Sequence, residues 1–459
     1  MVEANDDPIL VADHVDDRET HVGDRVAKTD HRLFLAPTSR GNVALGWQSC
    51  RGARRVVGGA RPVMDPSSID FALDLTGGMP FLPGEAFHAE MDRLRASDPL
   101  PTVQFGGATV PLIATYADLD AAFRNDVELP AGPTYKYAIE PCQGVTFESL
   151  DGPEHDTLRL LSTGDLHARP VARYVDDKVP AIVHSVIDRF SGRSEVDLVA
   201  EFASVVPFAV FADKTGLDAQ LDRVADYRDW SFGILSYSVA PDQGLAAAAA
   251  LTAEIDGALM QCRASPRNDL LSAMCTAERD GRRLTDEEIR SHVRALFAAG
   301  ASTTFHGLGN TLYALLTHPD AMATLRRDPG AALDAVDEML RWEPPLAILP
   351  RLVPHDATVA GRRLAAGTQL LFGIAAANRD PAVYAEPARF DIARRPTRVL
   401  TFGFGSHHCP GAHLARRQIA TAVLVLLERM PSLRLIDHEN ARPSGSIMRG
   451  PGSLVVATR

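Results

Sequence analysis

A single cysteine, Cys409, stands in the stretch Phe402-Gly403-Phe404-Gly405-Ser406-His407-His408-Cys409-Pro410-Gly411, directly ahead of an alanine- and leucine-rich helical pattern. A thiol held just before a helix start meets unpaired backbone N–H groups and the positive end of the helix dipole. Both favour the thiolate, the form that ligates metal. One such ligand, without a Cys-x-x-Cys partner, suits a cofactor that brings its other ligands with it, and haem is the leading candidate. Gly403, Gly405 and Gly411 permit backbone geometry and close approach that a side chain would block. A lone cysteine is more often a small buried hydrophobe, so the assignment rests on the spacing around it.

That spacing is Phe-Gly-x-Gly-x-His-x-Cys-x-Gly, from Phe402, Gly403, Gly405, His407, Cys409 and Gly411, followed by Leu414-Ala415-Arg416. It resembles the cysteine-ligand loop of the cytochrome P450 superfamily. Four further segments carry the resemblance in the family's order: His155-x-x-x-Arg159, Gly300 to Thr304, Glu338-x-x-Arg341, and Pro387-Ala388-Arg389-Phe390. The resemblance implies that Cys409 is the axial ligand of haem b. It also implies that His155, Arg159, Arg351 and His407 contact the propionates, and that Glu338, Arg341 and Arg389 form a structural ion network. Thr303 would relay protons to oxygen. Ser302 stands where the family usually has an acid, and since a hydroxyl cannot buffer protons as a carboxylate does near neutral pH, the expected route is through water along Ser302 and Thr303, or from a hydroxyl or acid on the substrate.

Read without the family, these segments say less. His155 and Arg159 share a helix face at i and i+4, which equally fits a solvated helix start. Glu-x-x-Arg alone is common. Thr285-Asp286-Glu287-Glu288 is a capping box that can open one helix running from Asp286 to Thr317. At 1.5 Å per residue it spans roughly 48 Å. Gly300 in its middle costs about 1 kcal/mol against Ala, so it needs a reason, such as close approach of a flat ligand. Ala295, Ala298 and Ala299 recur on the side of Thr303 and leave room for a bulky substrate. Leu346 and Ile348 after Pro344-Pro345, together with Met448, are further expected pocket contacts.

The elements that position these residues predict a mainly α fold with a small β subdomain, as in the cytochrome P450 fold. A helix is expected over Glu85–Arg95 and strands over Val103–Phe105 and Thr109–Ala114, the second at an edge because Pro111 lacks an N–H. Residues 131–147 read as loop, and Pro180–Ala298 as mostly helical. Trp230, Phe232, Leu235 and Tyr237 read as core packing, with a lid as the alternative. Thr358–Leu371 suggests a hairpin, and Ala412–Met430 a helix. Residues 1–63 shift from acidic to arginine-rich without apolar periodicity. They read as a disordered or non-native extension before a domain of residues 64–459.

Composition sets limits. A net charge of −12 without a basic tract argues against nucleic acid as partner. Five scattered cysteines do not suggest a disulfide framework and suit a reducing, cytoplasmic setting. There is no apolar run of about 18 residues to span a membrane. The resemblance implies a monooxygenase that uses O2, a small apolar substrate (terpenoid, steroid, fatty acid or polyketide) and electrons from a ferredoxin and its reductase. The ferredoxin would dock near Arg416 and Arg417. A peroxide-driven enzyme and a non-catalytic haem sensor are the alternatives.

Overall fold

The computed structural model describes residues 82–459. The expected extension over residues 1–63, and its boundary, lie outside the described residues.

The described residues begin with α1 (Glu85–Ser97), which buries Phe87, Met91 and Leu94 at i, i+4 and i+7. A hairpin follows, β1 (Thr102–Phe105) and β2 (Ala108–Ile113), turned through Gly106 and Gly107 at φ 61° and 78°. Only residues free to take positive φ make this two-residue turn cheaply. Then come α2 (Tyr116–Arg124), α3 (Gly132–Ala138) and α4 (Glu140–Gln143). The loop expected over 131–147 is thus largely two short helices, each with a proline in its first turn, where a missing N–H costs nothing.

Next are α5 (Gly152–Thr163), α6 (Ala168–Asp188), β3 (Glu195–Asp197), α7 (Val206–Thr215), α8 (Val224–Leu235), α9 (Pro241–Ala264) and α10 (Leu270–Thr276). The helical run is broken at Gly192, Gly216 and Pro266, Gly216 as a left-handed cap at φ 93°. Pro180 lies inside α6, while Pro241 starts α9. The aromatic cluster on α8 packs on the core. Phe232 meets Phe208 and Phe305 at ring distances of 6.4 and 6.1 Å.

The central helix α11 (Asp286–Thr317) has the expected bounds and the reciprocal Thr285/Glu288 cap. It is buried on nearly all sides, from Ile289 to Leu315, so its sequence shows no polar stripe. After α12 (Pro319–Arg327) and α13 (Ala332–Trp342), strands β4 (Leu349–Leu352), β5 (Ala357–Val359), β6 (Arg362–Leu364) and β7 (Gln369–Phe372) lead to α14 (Ile374–Asn378). Helix α15 (Ala412–Arg429), β8 (Arg434–Leu435) and β9 (Val455–Ala457) complete the order.

The β subdomain has strand order β1-β2-β7-β4. Here β2 runs parallel to β7 through Leu112–Leu371 and Ile113–Phe372. The edge position expected from Pro111 is therefore wrong. The proline pairs only with Thr102 at the start of β1, and β7 joins one residue later, so no ladder N–H is missed. The expected hairpin forms through Ala360-Gly361, but Gly367 turns the chain into β7 and the main sheet. Among the described residues no helix is long and apolar enough to cross a membrane.

Candidate active site

The loop before α15 is built by its glycines. Gly403 and Gly405 have φ of 65° and 78°, and a Cβ on Gly405 would lie 2.7 Å from the Phe123 carbonyl oxygen. Gly411 differs: its φ is an ordinary −81°, and the nearest neighbour to a Cβ there is Cys409 Sγ at 3.8 Å. It keeps space beside the sulfur rather than supplying a turn. The Cys409 N–H donates to the Phe402 carbonyl at 2.9 Å, which folds the loop back on itself. Burial pushes the Cys409 thiol up to about 11, while the backbone N–H groups of Gly411 and Ala412 pull it down. The helix start alone does not make a thiolate here. A bound cation would.

Cys409 faces a cavity whose far wall is α11, contributed by Leu296, Ala299, Gly300, Thr303, Thr304 and Gly307. At about 100° per residue these positions cover one side of the helix, and Ala295, Ala298 and Ser302 fall outside it. The expectation for those three is corrected: all are buried away from the cavity, and the Ser302 hydroxyl donates to the Ala298 carbonyl at 2.6 Å. Thr303 is on the wall, its hydroxyl donating to the Ala299 carbonyl at 2.7 Å. Gly300 has a packing reason, since its missing Cβ would sit 2.9 Å from Phe211 Cε2. Leu346 lines the cavity as expected, with Leu349. Ile348 and Met448 do not. Ile348 points into the cluster under α1, and Met448 is a buried residue bridged to the Leu346 backbone.

Expected cofactor contacts gather at one edge. Arg351 and His407 line the cavity, while His155 and Arg159 come from α5 beside them. The rings of His155 and His407 are 4.2 Å apart. His155 Nε2, Arg159 Nη1, and Arg351 Nε and Nη1 are buried with no hydrogen-bond partner. Burial holds both arginines below their ordinary pKa, and holds His155 low with help from the charge of His407. Buried donors left unsatisfied cost about 1–3 kcal/mol each. A dicarboxylate would satisfy them. His407 is partly engaged already, with Nε2 3.1 Å from Asp151 Oδ1. Burial alone would raise the Asp151 carboxyl. The His407 bond and the N–H groups of Gly132 and Ala131 outweigh it and hold that carboxyl below its usual range.

The ion network is real but has a different third member. Glu338 and Arg341 have fully buried side chains and share two bonds of 2.8 Å. The second arginine is Arg394, whose Nε lies 3.1 Å from Glu338 Oε1. Arg389 instead leaves 62% of its side chain exposed beside Glu386 and Asp391, and contributes a carbonyl to Arg341 Nη2 at 3.0 Å. Nothing in the sequence separates Arg394 from its neighbours Arg389, Arg395 and Arg398. Tyr135 and Glu148 also line the cavity and were missed, because the segment holding them has no periodic pattern.

A cysteine thiol facing a long helix across a cavity, with unsatisfied cations at its rim, fits a haem held by a thiolate. The comparisons agree. A family model described as cytochrome P450 matches residues 250–432. The vitamin D(3) 25-hydroxylase of Pseudonocardia autotrophica is 32% identical over 76% of this chain and 87% of its own length. The mycinamicin IV hydroxylase/epoxidase of Micromonospora griseorubida is 34% identical over 67% of this chain and 78% of its own. Among solved structures, P450BioI in complex with hexadec-9Z-enoic acid ligated acyl carrier protein superposes with a TM-score of 0.71 at 27% identity. That match covers 80% of this chain and 97% of that one. This chain belongs to the cytochrome P450 family, as an enzyme of the monooxygenase type that binds haem b.

Proposed function

We propose that the chain inserts one oxygen atom of O2 into a C–H or C=C bond of an apolar substrate, with electrons from a separate ferredoxin system. The observation that carries this is the Cys409 cavity, whose α11 wall combines Leu296 and small residues with the hydroxyls of Thr303 and Thr304. When bound, haem supplies the oxygen-activating chemistry, with Cys409 as the residue that holds its iron. Arg159, Arg351 and His155 would hold its carboxylates, and His407 is steadied beside them by Asp151. Leu296, Ala299 and Leu346 exclude water and seat the substrate. Thr303 Oγ1, which donates to the Ala299 carbonyl at 2.7 Å, is the wall hydroxyl that would hold a proton and hand it on, with water replacing it.

Ser302 has no part in that transfer, since its hydroxyl lies on the other side of α11. The vitamin D(3), mycinamicin and fatty-acyl ligands named for the three relatives all present a large apolar body, and the cavity suits that class. Arg417 is the better docking contact for the electron carrier, because the Arg416 guanidinium is already held by Asp337.

The first test is the visible spectrum of the reduced protein with carbon monoxide. A Soret band strongly red-shifted from that of histidine-ligated haem supports thiolate ligation, and its loss in Cys409→Ala assigns the ligand. A histidine-like band would overturn the reading. In turnover, Thr303→Ala releases more peroxide per product, while Ser302→Ala behaves as wild type. The absence of an acid at Ser302 favours one second reading, a peroxide-driven enzyme. Product formed with hydrogen peroxide but not with a ferredoxin system would establish it.

A further inference from the structure

One charged group on the cavity wall is not used by the site described so far. Glu148 sits in the short helical turn Phe147–Ser149, half-buried and on the lining of the cavity. The turn is fixed from several directions. Thr146 and Ser149 cap it reciprocally, and the Phe147 N–H donates to His292 Nε2 at 3.2 Å. The two rings stack at 5.6 Å, and His292 Nδ1 is anchored 2.6 Å from the Glu288 carbonyl. Just ahead, Gly144 packs so closely on α11 that a Cβ would fall 2.2 Å from Ser291 Oγ. The carboxyl is therefore presented by a rigid support.

It is also under-partnered. Among the described residues, Gln143 Nε2 at 3.2 Å from Oε2 is the donor that reaches it. The nearby cations are directed elsewhere: Arg159 Nη2 donates to the His408 carbonyl, and His407 Nε2 pairs with Asp151. Burial raises the Glu148 pKa, and the Gln143 bond and the charges of His407 and Arg159 offset this only in part. A half-buried carboxyl on the cavity wall with one neutral donor has lone pairs open to a donor group on whatever fills the cavity.

We propose that Glu148 is the polar anchor of the substrate cavity, accepting a hydrogen bond from a hydroxyl or ammonium group on an otherwise apolar substrate and rejecting carboxylates. This rests on the cavity being the substrate site of a haem-bound enzyme. Discrimination follows from both terms: the right ligand completes the carboxyl's hydrogen bonds, and an anionic one brings like charges together in a dry site. Among apolar molecules of suitable size, alcohols are preferred to free fatty acids.

The test uses the haem-bound protein and two probes of equal chain length, 1-dodecanol and dodecanoate, titrated by calorimetry. Wild type should bind the alcohol about tenfold more tightly than the carboxylate, the low end for one charged hydrogen bond. Glu148→Gln should erase or reverse that ratio, and Glu148→Asp should keep its sign. Equal binding of the two probes by wild type overturns the proposal, as does an unchanged ratio in Glu148→Gln. The carbon monoxide spectrum of the same samples reports separately on the haem-thiolate reading. A normal spectrum with no alcohol preference removes Glu148 alone.

Discussion

Replacing Arg394 with Ala should destabilise the folded protein far more than replacing Arg389, the arginine of the Pro387–Phe390 segment. Glu338 Oε1 receives Arg341 Nη2 at 2.8 Å, the Asp391 N–H at 2.9 Å and Arg394 Nε at 3.1 Å, in a site with no exposure. Removing Arg394 deletes one charged hydrogen bond to a buried carboxylate, worth about 1.5–3 kcal/mol. It also strips donors from the carbonyls of Ala385, Glu386 and Arg389, at 2.6, 3.2 and 3.3 Å. Arg394 keeps 15% exposure, so water recovers part of that loss. The sum is about 2–3 kcal/mol. Arg389 makes only solvent-facing pairs at 3.5 and 3.7 Å, which contribute about 0–1 kcal/mol. Its carbonyl, the part that serves the network, survives in Arg389→Ala. Urea unfolding of the two variants, followed by the Soret band and far-ultraviolet dichroism, measures the difference directly. Equal losses, or a larger loss for Arg389→Ala, would refute the assignment of Arg394 and the reasoning from exposure behind it.

Arg351→Ala should speed haem loss from the loaded protein, because Arg351 Nε and Nη1 are buried with no partner in the protein and are free to serve the haem carboxylates. Haem transfer to an acceptor protein checks this, and an unchanged rate would remove Arg351 from the cofactor contacts. In acid, Glu343 loses stability in a defined window. Burial would raise its pKa, but Arg449 at 2.7 Å and His88 at 2.8 Å outweigh it and hold it near 2, from an ordinary 4.5. A depressed carboxylate stabilises above its unfolded pKa, so roughly 3 kcal/mol should disappear between pH 4.5 and 2. Burial holds His88 below 6.5 first, and it adds a loss of the same sign that begins higher. Urea midpoints across that range, with Glu343→Gln showing a flatter profile, test this. Gly300→Ala should destabilise despite a helix propensity gain of about 1 kcal/mol, because its Cβ meets the Phe211 ring at 2.9 Å. Phe211→Leu in the same chain should restore stability, and the double-mutant coupling reads it out.

Much of the site was legible in the residues because its determinants are local. The loop before α15 is written by glycines at positive φ and one cysteine. The bounds of α11 are written by a capping box at Thr285 and by His318-Pro319 after its end. The place of Arg159 and Arg351 beside one cavity followed only from the family resemblance. Their unsatisfied nitrogens give it a physical basis that no spacing could. The face of α11 that meets the cavity was read half correctly, with Ala299 and Thr303 on it and Ala295 and Ala298 off it, because a helix buried all round has no polar side to mark its orientation. Tertiary packing turned Ser302 and Ala298 away and left Thr303 on the wall. The role of Gly300 was likewise hidden, since Phe211 lies on another helix. Arg394 displaced Arg389 because burial, not sequence position, decides which guanidinium a carboxylate in the core must keep. Glu148 had no sequence signal at all. Its place on the cavity wall comes from the meeting of the Phe147–Ser149 turn with α11, which no local pattern announces.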